Sequence, residues 1–151
     1  MRVLARRLSI SALAVAVAVV TFGSPAHAAT NPFTPAQACN NDFGGSWAQA
    51  SDGHRSIYSG GTKVGDVYLM YNSATGYNCV ATLKAVAVGS TTGVAASLRV
   101  EGSSWATDSG NYKYYAAKQR AARDTCVMYE GEVLYGTMWV GNGRYTWGNC
   151  G

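Results

Sequence analysis

The sequence predicts an all-β fold: a small single-domain antiparallel β-sandwich or barrel with two disulfides and at most one short helix. Three observations carry this expectation. Short apolar runs are separated by glycine-containing turns along most of the chain. Four cysteines follow a start that reads as an export signal, and exported thiols pair. Period-two alternation is clearest over 94–100, where Val94, Ala96, Leu98 and Val100 face one way and Ala95, Ser97 and Arg99 the other.

Taken from the beginning, Met1 to Arg7 is basic, Ala12 to Val20 is apolar, and Ala26-His27-Ala28 has the small-x-small cleavage pattern. Residues 1–28 are therefore expected to be a signal peptide. Arg6-Arg7 hints at the twin-arginine route, but Leu8-Ser9-Ile10 lacks the strongly hydrophobic pair that usually follows. Removing Arg2, Arg6 and Arg7 leaves nine basic residues against eight acidic ones, so the formal charge falls from +4 to +1. The basic balance belongs to the signal, which gives no support to a nucleic-acid partner. No later apolar run is long enough to cross a membrane, so no span is expected after the signal is removed.

Residues 29–38, with Pro32 and Pro35, read as a flexible arm, and 39–151 as one β domain. Strand-like runs fall at about 46–51, 54–59, 65–71, 78–88, 94–101, 111–116, 126–130, 132–140 and 144–148. Gly60-Gly61, 72–76, 89–93, 102–111 and Gly141-Asn142-Gly143 serve as reversals. In 65–71, Val67, Leu69 and Tyr71 share one face and Tyr68 and Met70 the other. The strand at 94–100 is expected to have one wet face, and 78–88, apolar on both sides, to be a central strand covered twice. Ala116 to Arg123 is rich in helix formers and reads as one or two helical turns or a basic surface loop.

Cys39, Cys79, Cys126 and Cys150 allow three pairings. Cys39–Cys150 with Cys79–Cys126 is favoured, because the first two lie near the ends of the expected domain and the other two inside apparent strands. A metal site is not expected, since there is no Cys-x-x-Cys and only His54 remains after residue 28. His54 has serines and carboxylates nearby in sequence, but no Gly-x-Ser-x-Gly elbow accompanies it, and a structural or surface histidine is the better reading. Glu101, Glu130, Glu132, Asp66 and Asp108 offer carboxylates for glycoside hydrolysis, yet no pair divides into acid and base, and Glu130-Gly131-Glu132 reads as solvated strand-edge charge. Neither an enzyme nor a cofactor is expected.

Aromatics are the richest resource. Trp47, Trp105, Trp139 and Trp147 and ten tyrosines could fill a core or form platforms for sugar rings. Tyr112, Tyr115 and Trp105 are the candidate ligand surface.

The stretch from Val67 through Asn72, Thr75-Gly76-Tyr77-Asn78-Cys79-Val80, Asp108 to Tyr112 with Tyr115-Ala116, Cys126-Val127 and Gly148-Asn149-Cys150 resembles the spore-associated protein family of filamentous actinobacteria. The likeness runs from about Cys39 to Gly151. It implies a small exported protein of the spore surface or culture fluid, with no catalytic residue or cofactor, and spore or cell-wall components as partners. The chain departs from the family where Ala116 to Arg123 replaces a glycine-proline-valine strand, and where Met128-Tyr129-Glu130 replaces a tryptophan followed by glycines. The leading expectation is a secreted, non-catalytic surface protein. Its alternatives are a carbohydrate- or cell-wall-binding module using exposed aromatics, and an extracellular protease inhibitor presenting a rigid loop at 102–110.

Overall fold

A computed structural model describes residues 30–151; the expected signal peptide lies outside the described residues. One helix, α1 (Pro35–Phe43), precedes eight strands: β1 (Ala48–Ser59), β2 (Thr62–Asn72), β3 (Tyr77–Lys84), β4 (Thr92–Val100), β5 (Trp105–Tyr112), β6 (Tyr115–Ala121), β7 (Val127–Tyr135) and β8 (Met138–Gly148). They form two four-stranded antiparallel sheets, β1-β2-β3-β6 and β5-β4-β7-β8. The fold class is thus the expected one. β1–β2, β2–β3, β4–β5 and β7–β8 are hairpins, and the other three connections switch sheets. The β5–β6 switch needs only Lys113 and Tyr114 between the strands, so the chain turns a sandwich corner there.

Val67, Leu69, Val80, Val94, Ala96, Leu98, Val127, Tyr129 and Val133 fill the space between the sheets. A second cluster lies outside the first sheet, where Met70, Cys79, Ala81, Leu83 and Ala117 are covered by Ala38 and Cys39 of α1 and by Trp47. β3 therefore has an apolar partner on each face, as its two-sided pattern predicts. The 65–71 run divides as its alternation predicts, with Val67 and Leu69 inward and Tyr68 and Met70 under α1.

The helix forms where an arm was expected. Thr34 caps it, accepting from the Gln37 amide at 3.1 Å, while the Gln37 side chain accepts from the Thr34 amide at 2.9 Å. Pro35 occupies a first-turn position, and Gly44 ends the helix at φ 70°. Those are start and stop signals, so Pro35 marks a helix rather than mobility. Upstream, Asn31 donates to the Lys84 and Tyr114 carbonyls at 3.1 and 2.8 Å, and the Phe33 ring packs on Tyr114 and Tyr115.

Conversely, Ala116 to Arg123 is not helical: Tyr115 to Ala121 is β6, registered against Leu83 to Tyr77 of β3. Ala116 enters the inter-sheet core and Ala117 fits under α1. Pairing with a central strand outweighs a helix preference of tenths of a kcal/mol per residue.

The disulfides differ from the favoured pairing: they are Cys39–Cys79 and Cys126–Cys150. Cys79 points out of its sheet with Ala81 and Leu83, toward α1, so it meets Cys39 and cannot reach across the core to Cys126. Cys126 just precedes β7 and Cys150 just follows β8; because Val127 pairs with Gly148, the two thiols fall side by side. Position along the chain misled where strand face decides.

Strand boundaries shift too. The 46–51 and 54–59 runs are one strand, β1, broken in register between Gln49 and His54, with Asp52 at φ 52°. The expected loop at 102–110 is mostly β5, which removes the exposed loop on which a protease-inhibitor reading depended. Gly141-Asn142-Gly143 lies within β8, and the reversal is at Gly136-Thr137. The outward face of β4 is not wet: Ala95 and Ser97 are buried.

Candidate functional site

Three groups of side chains could carry chemistry, and the first surrounds Asp66. Its Oδ1 accepts from Ser56 Oγ at 2.8 Å and stands 2.9 Å from His54 Nε2, while Lys63 Nζ lies 2.8 Å from Oδ2. His54 also stacks on Tyr68, with centroids 4.5 Å apart. A nucleophilic serine must donate to the imidazole, but here serine and histidine both attach to the carboxylate. This trio ties β1 to β2.

The second is a cleft of about 480 Å³ between α1 and the β5–β6 corner, lined by Asp42, Phe43, Asp108, Tyr112, Tyr115 and Lys118 among others. Two of the sequence candidates, Tyr112 and Tyr115, meet here. Tyr112 donates to Asp108 Oδ1 at 2.9 Å, Asp108 Oδ2 accepts from the Ala117 amide at 3.3 Å, and Tyr115 donates to Asp42 at 3.0 Å. Burial pushes the Asp42 carboxyl above its usual range; the Tyr115 bond opposes that, and the Asp108 charge adds to it. Both carboxylates are thus occupied by the tyrosines beside them, so the cluster clips β5, β6 and α1 together.

The third is the outward face of the β5-β4-β7-β8 sheet, where Trp105 lies instead. Register places the outward side chains in rows across the sheet. Trp105 of β5 is opposite Arg99 of β4, which pairs with Met128 of β7. Thr107, Ser97, Glu130 and Gly143 form the next row; Ser109, Ala95, Glu132 and Gly141 the one after; and Leu134 pairs with Trp139 at the far end. Within the bulge of β8, between Arg144 and Gly148, Tyr145 and Trp147 also point outward. Tyr145 donates to Glu130 at 2.7 Å, and the Arg99 guanidinium lies 5.4 Å from the Trp147 ring centre.

The result is a low floor between aromatic ends. A Cβ on Gly93 would stand 2.8 Å from Trp139 Cη2 and 2.9 Å from Leu134 Cβ, so the indole reaches from β8 across β7 to β4, lying along the sheet. Trp105, Trp139, Tyr145 and Trp147 are 37, 46, 55 and 38 % exposed. From Met128 to Leu134 the strand covers about 20 Å at ~3.3 Å per residue. Four large aromatics on one sheet face exceed the scattered apolar exposure of an ordinary surface.

Of the four tryptophans only Trp47 is buried, with its Nε1 donating to the Gly44 carbonyl at 2.8 Å. Sequence reasoning selected Trp105 and missed Trp139, Tyr145 and Trp147 as one surface, and it read Glu130 and Glu132 only as strand-edge charge. The signal was present: 139, 141, 143, 145 and 147 are Trp, Gly, Gly, Tyr and Trp, a period-two stripe hidden by treating the glycines as a turn.

Among the described residues no helix is long and apolar enough to cross a membrane, and no cluster of His, Cys, Asp and Glu could hold a metal ion. No protein-family model, curated protein or solved structure matches this chain.

Proposed function

We propose that this is a secreted, non-catalytic β-sandwich that adheres to a cell-wall or spore-surface polysaccharide through the outward face of its β5-β4-β7-β8 sheet. The observation that carries the reading is the alignment of exposed Trp105, Trp139, Tyr145 and Trp147 around a floor of glycine, alanine and serine. Sugar rings have apolar faces that stack on indoles, and their hydroxyls need polar groups at the same level. Here Ser109, Thr107, Glu130 and Glu132 stand at that level. Two disulfides suit a protein of an oxidising, extracellular compartment. The resemblance to spore-associated proteins suggests which surface it meets. This reading moves the ligand surface from Tyr112 and Tyr115 to the opposite side of β5.

The test is depletion of the protein from solution by chitin, deacetylated chitin, cellulose and peptidoglycan, with Trp139→Ala/Trp147→Ala as comparison. Retention should fall by at least about tenfold, equivalent to ~1.4 kcal/mol, with the thermal midpoint little changed. No retention on any polymer, together with unaltered tryptophan fluorescence, would remove the proposal.

A further inference from the structure

The floor of the aromatic face carries two carboxylates without a counter-charge. Glu130 and Glu132 occupy successive outward positions of β7 and are half-buried. Their side chains converge over Gly141, where a Cβ would stand 2.9 Å from Glu132 Cγ and 3.5 Å from Glu130 Oε1. Tyr145 donates to Glu130, but among the described residues neither carboxylate has a cation within salt-bridge distance. Burial pushes Glu132 above the usual carboxylate range, and the neighbouring Glu130 charge adds to it. The one cation on the face, Arg99, is engaged elsewhere: its Nε donates to the Ser103 carbonyl at 2.9 Å and its guanidinium lies over Trp147.

Two like charges held close together at the centre of an aromatic surface are complementary to a ligand that brings positive charge and flat apolar faces together. An acidic sugar would be repelled, and a neutral one would cover the carboxylates without neutralising them. A protonated amine supplies charge-assisted bonds to both and relieves their mutual repulsion. Resting on the polysaccharide reading above, we propose that the polymer bound here is amine-bearing, a chain with free glucosamine units. Its rings stack on Trp139 and Trp147 while its 2-ammonium groups meet Glu130 and Glu132.

The experiment compares soluble glucosamine oligomers, N-acetylglucosamine oligomers of equal length and oligolysine, each titrated into the secreted protein by calorimetry and tryptophan fluorescence. Glucosamine oligomers should bind at least about tenfold more tightly than the acetylated ones. The preference should weaken as salt is raised and vanish in Glu130→Gln/Glu132→Gln. Because that variant could misfold, its thermal unfolding is recorded alongside, and the salt dependence of the unaltered protein serves as an independent arm. Equal affinity for acetylated and free-amine oligomers, or a preference insensitive to salt, overturns this inference and leaves the aromatic platform standing. Binding to neither oligomer overturns both. Oligolysine binding as tightly as glucosamine oligomers overturns the sugar assignment, since charge alone would then account for recognition.

Discussion

Breaking the Cys39–Cys79 bridge by Cys39→Ser/Cys79→Ser should lower stability by an amount that its loop length sets. A separation of 40 residues corresponds, in the chain-entropy treatment, to about 4 kcal/mol of unfolded-state entropy removed by the crosslink. The 24-residue separation of Cys126–Cys150 gives about 3.5 kcal/mol. Unfolding entropy of ~2.1 cal/mol/K per residue over 30–151 is on the order of 250 cal/mol/K, so the first variant should lose about 15 °C in thermal midpoint. The loops do not overlap, so the two contributions should add. Removing both would take about 7.5 kcal/mol, comparable with the whole stability of many domains, and the four-serine chain should be largely unfolded. In the alternative pairing, Cys79–Cys126 would nest inside Cys39–Cys150, and even with the outer loop shortened by the inner crosslink the same treatment gives about 8 kcal/mol in sum, so the linked peptides rather than the summed loss separate the two pairings. Circular dichroism melts of both double variants and of the four-serine chain measure the effect, and mass spectrometry of the unreduced digest identifies the linked peptides. A 39–150 crosslinked peptide, or a midpoint loss under about 4 °C for Cys39→Ser/Cys79→Ser, would refute the reasoning.

Three further outcomes follow from close contacts and charge. Gly131→Ala would set a Cβ against Thr82 Oγ1 and 2.6 Å from Val67 Cβ of the facing sheet, so chemical denaturation should show a loss of at least about 1–3 kcal/mol. Gly141→Ala meets Glu132 Cγ at 2.9 Å and the Gly131 carbonyl oxygen at 3.0 Å; its melting midpoint should fall by less than that of Gly131→Ala while polysaccharide retention drops, because the floor rises beneath the carboxylates. Lys84 is buried, with Nζ donating to the Ser90 and Tyr112 carbonyls at 2.7 and 3.0 Å, and burial lowers its pKa below 10.5. The unfolded chain then holds more protons than the folded one as pH approaches 10.5, so this residue makes stability rise with pH in that window. Denaturation of the wild type and Lys84→Met between about pH 8 and 10 should show the difference shifting in favour of the wild type; a constant difference would contradict the lowered pKa.

The fold was legible in the sequence where alternation was read over enough residues. Val67, Leu69 and Met70 fell on the faces their period assigned, and the two-sided pattern of β3 announced a strand covered twice. Local composition misled where a distant partner decided the outcome. Ala116 to Ala121 has a helical composition, but its small residues are what the corner between two cores can accommodate, and β3 supplies the hydrogen bonds. The cysteine pairing was illegible for a related reason: it depends on Cys79 facing α1, a helix the sequence reading did not place. That helix was nonetheless encoded, in Thr34-Pro35-Ala36-Gln37 and its closing Gly44.

The aromatic face shows why a glycine read from sequence is ambiguous. Gly141 and Gly143 looked like a hairpin turn, yet neither is among the residues at positive φ, whereas Gly136 at the actual reversal has φ 64°. Their missing side chains serve another purpose. A Cβ on Gly143 would strike the Tyr129 carbonyl and lie 2.8 Å from Glu130 Cα, and one on Gly141 would press on Glu132. Glycine is therefore required there by the close approach of neighbouring groups, with the backbone extended throughout. Had both been counted as strand positions, Trp139, Tyr145 and Trp147 would have shared one side, with Glu130 and Glu132 opposite the two glycines in register. A turn and a floor use the same residue for different reasons, and Trp139 and Tyr145, two positions outside the glycines on the same parity, were the means of telling them apart.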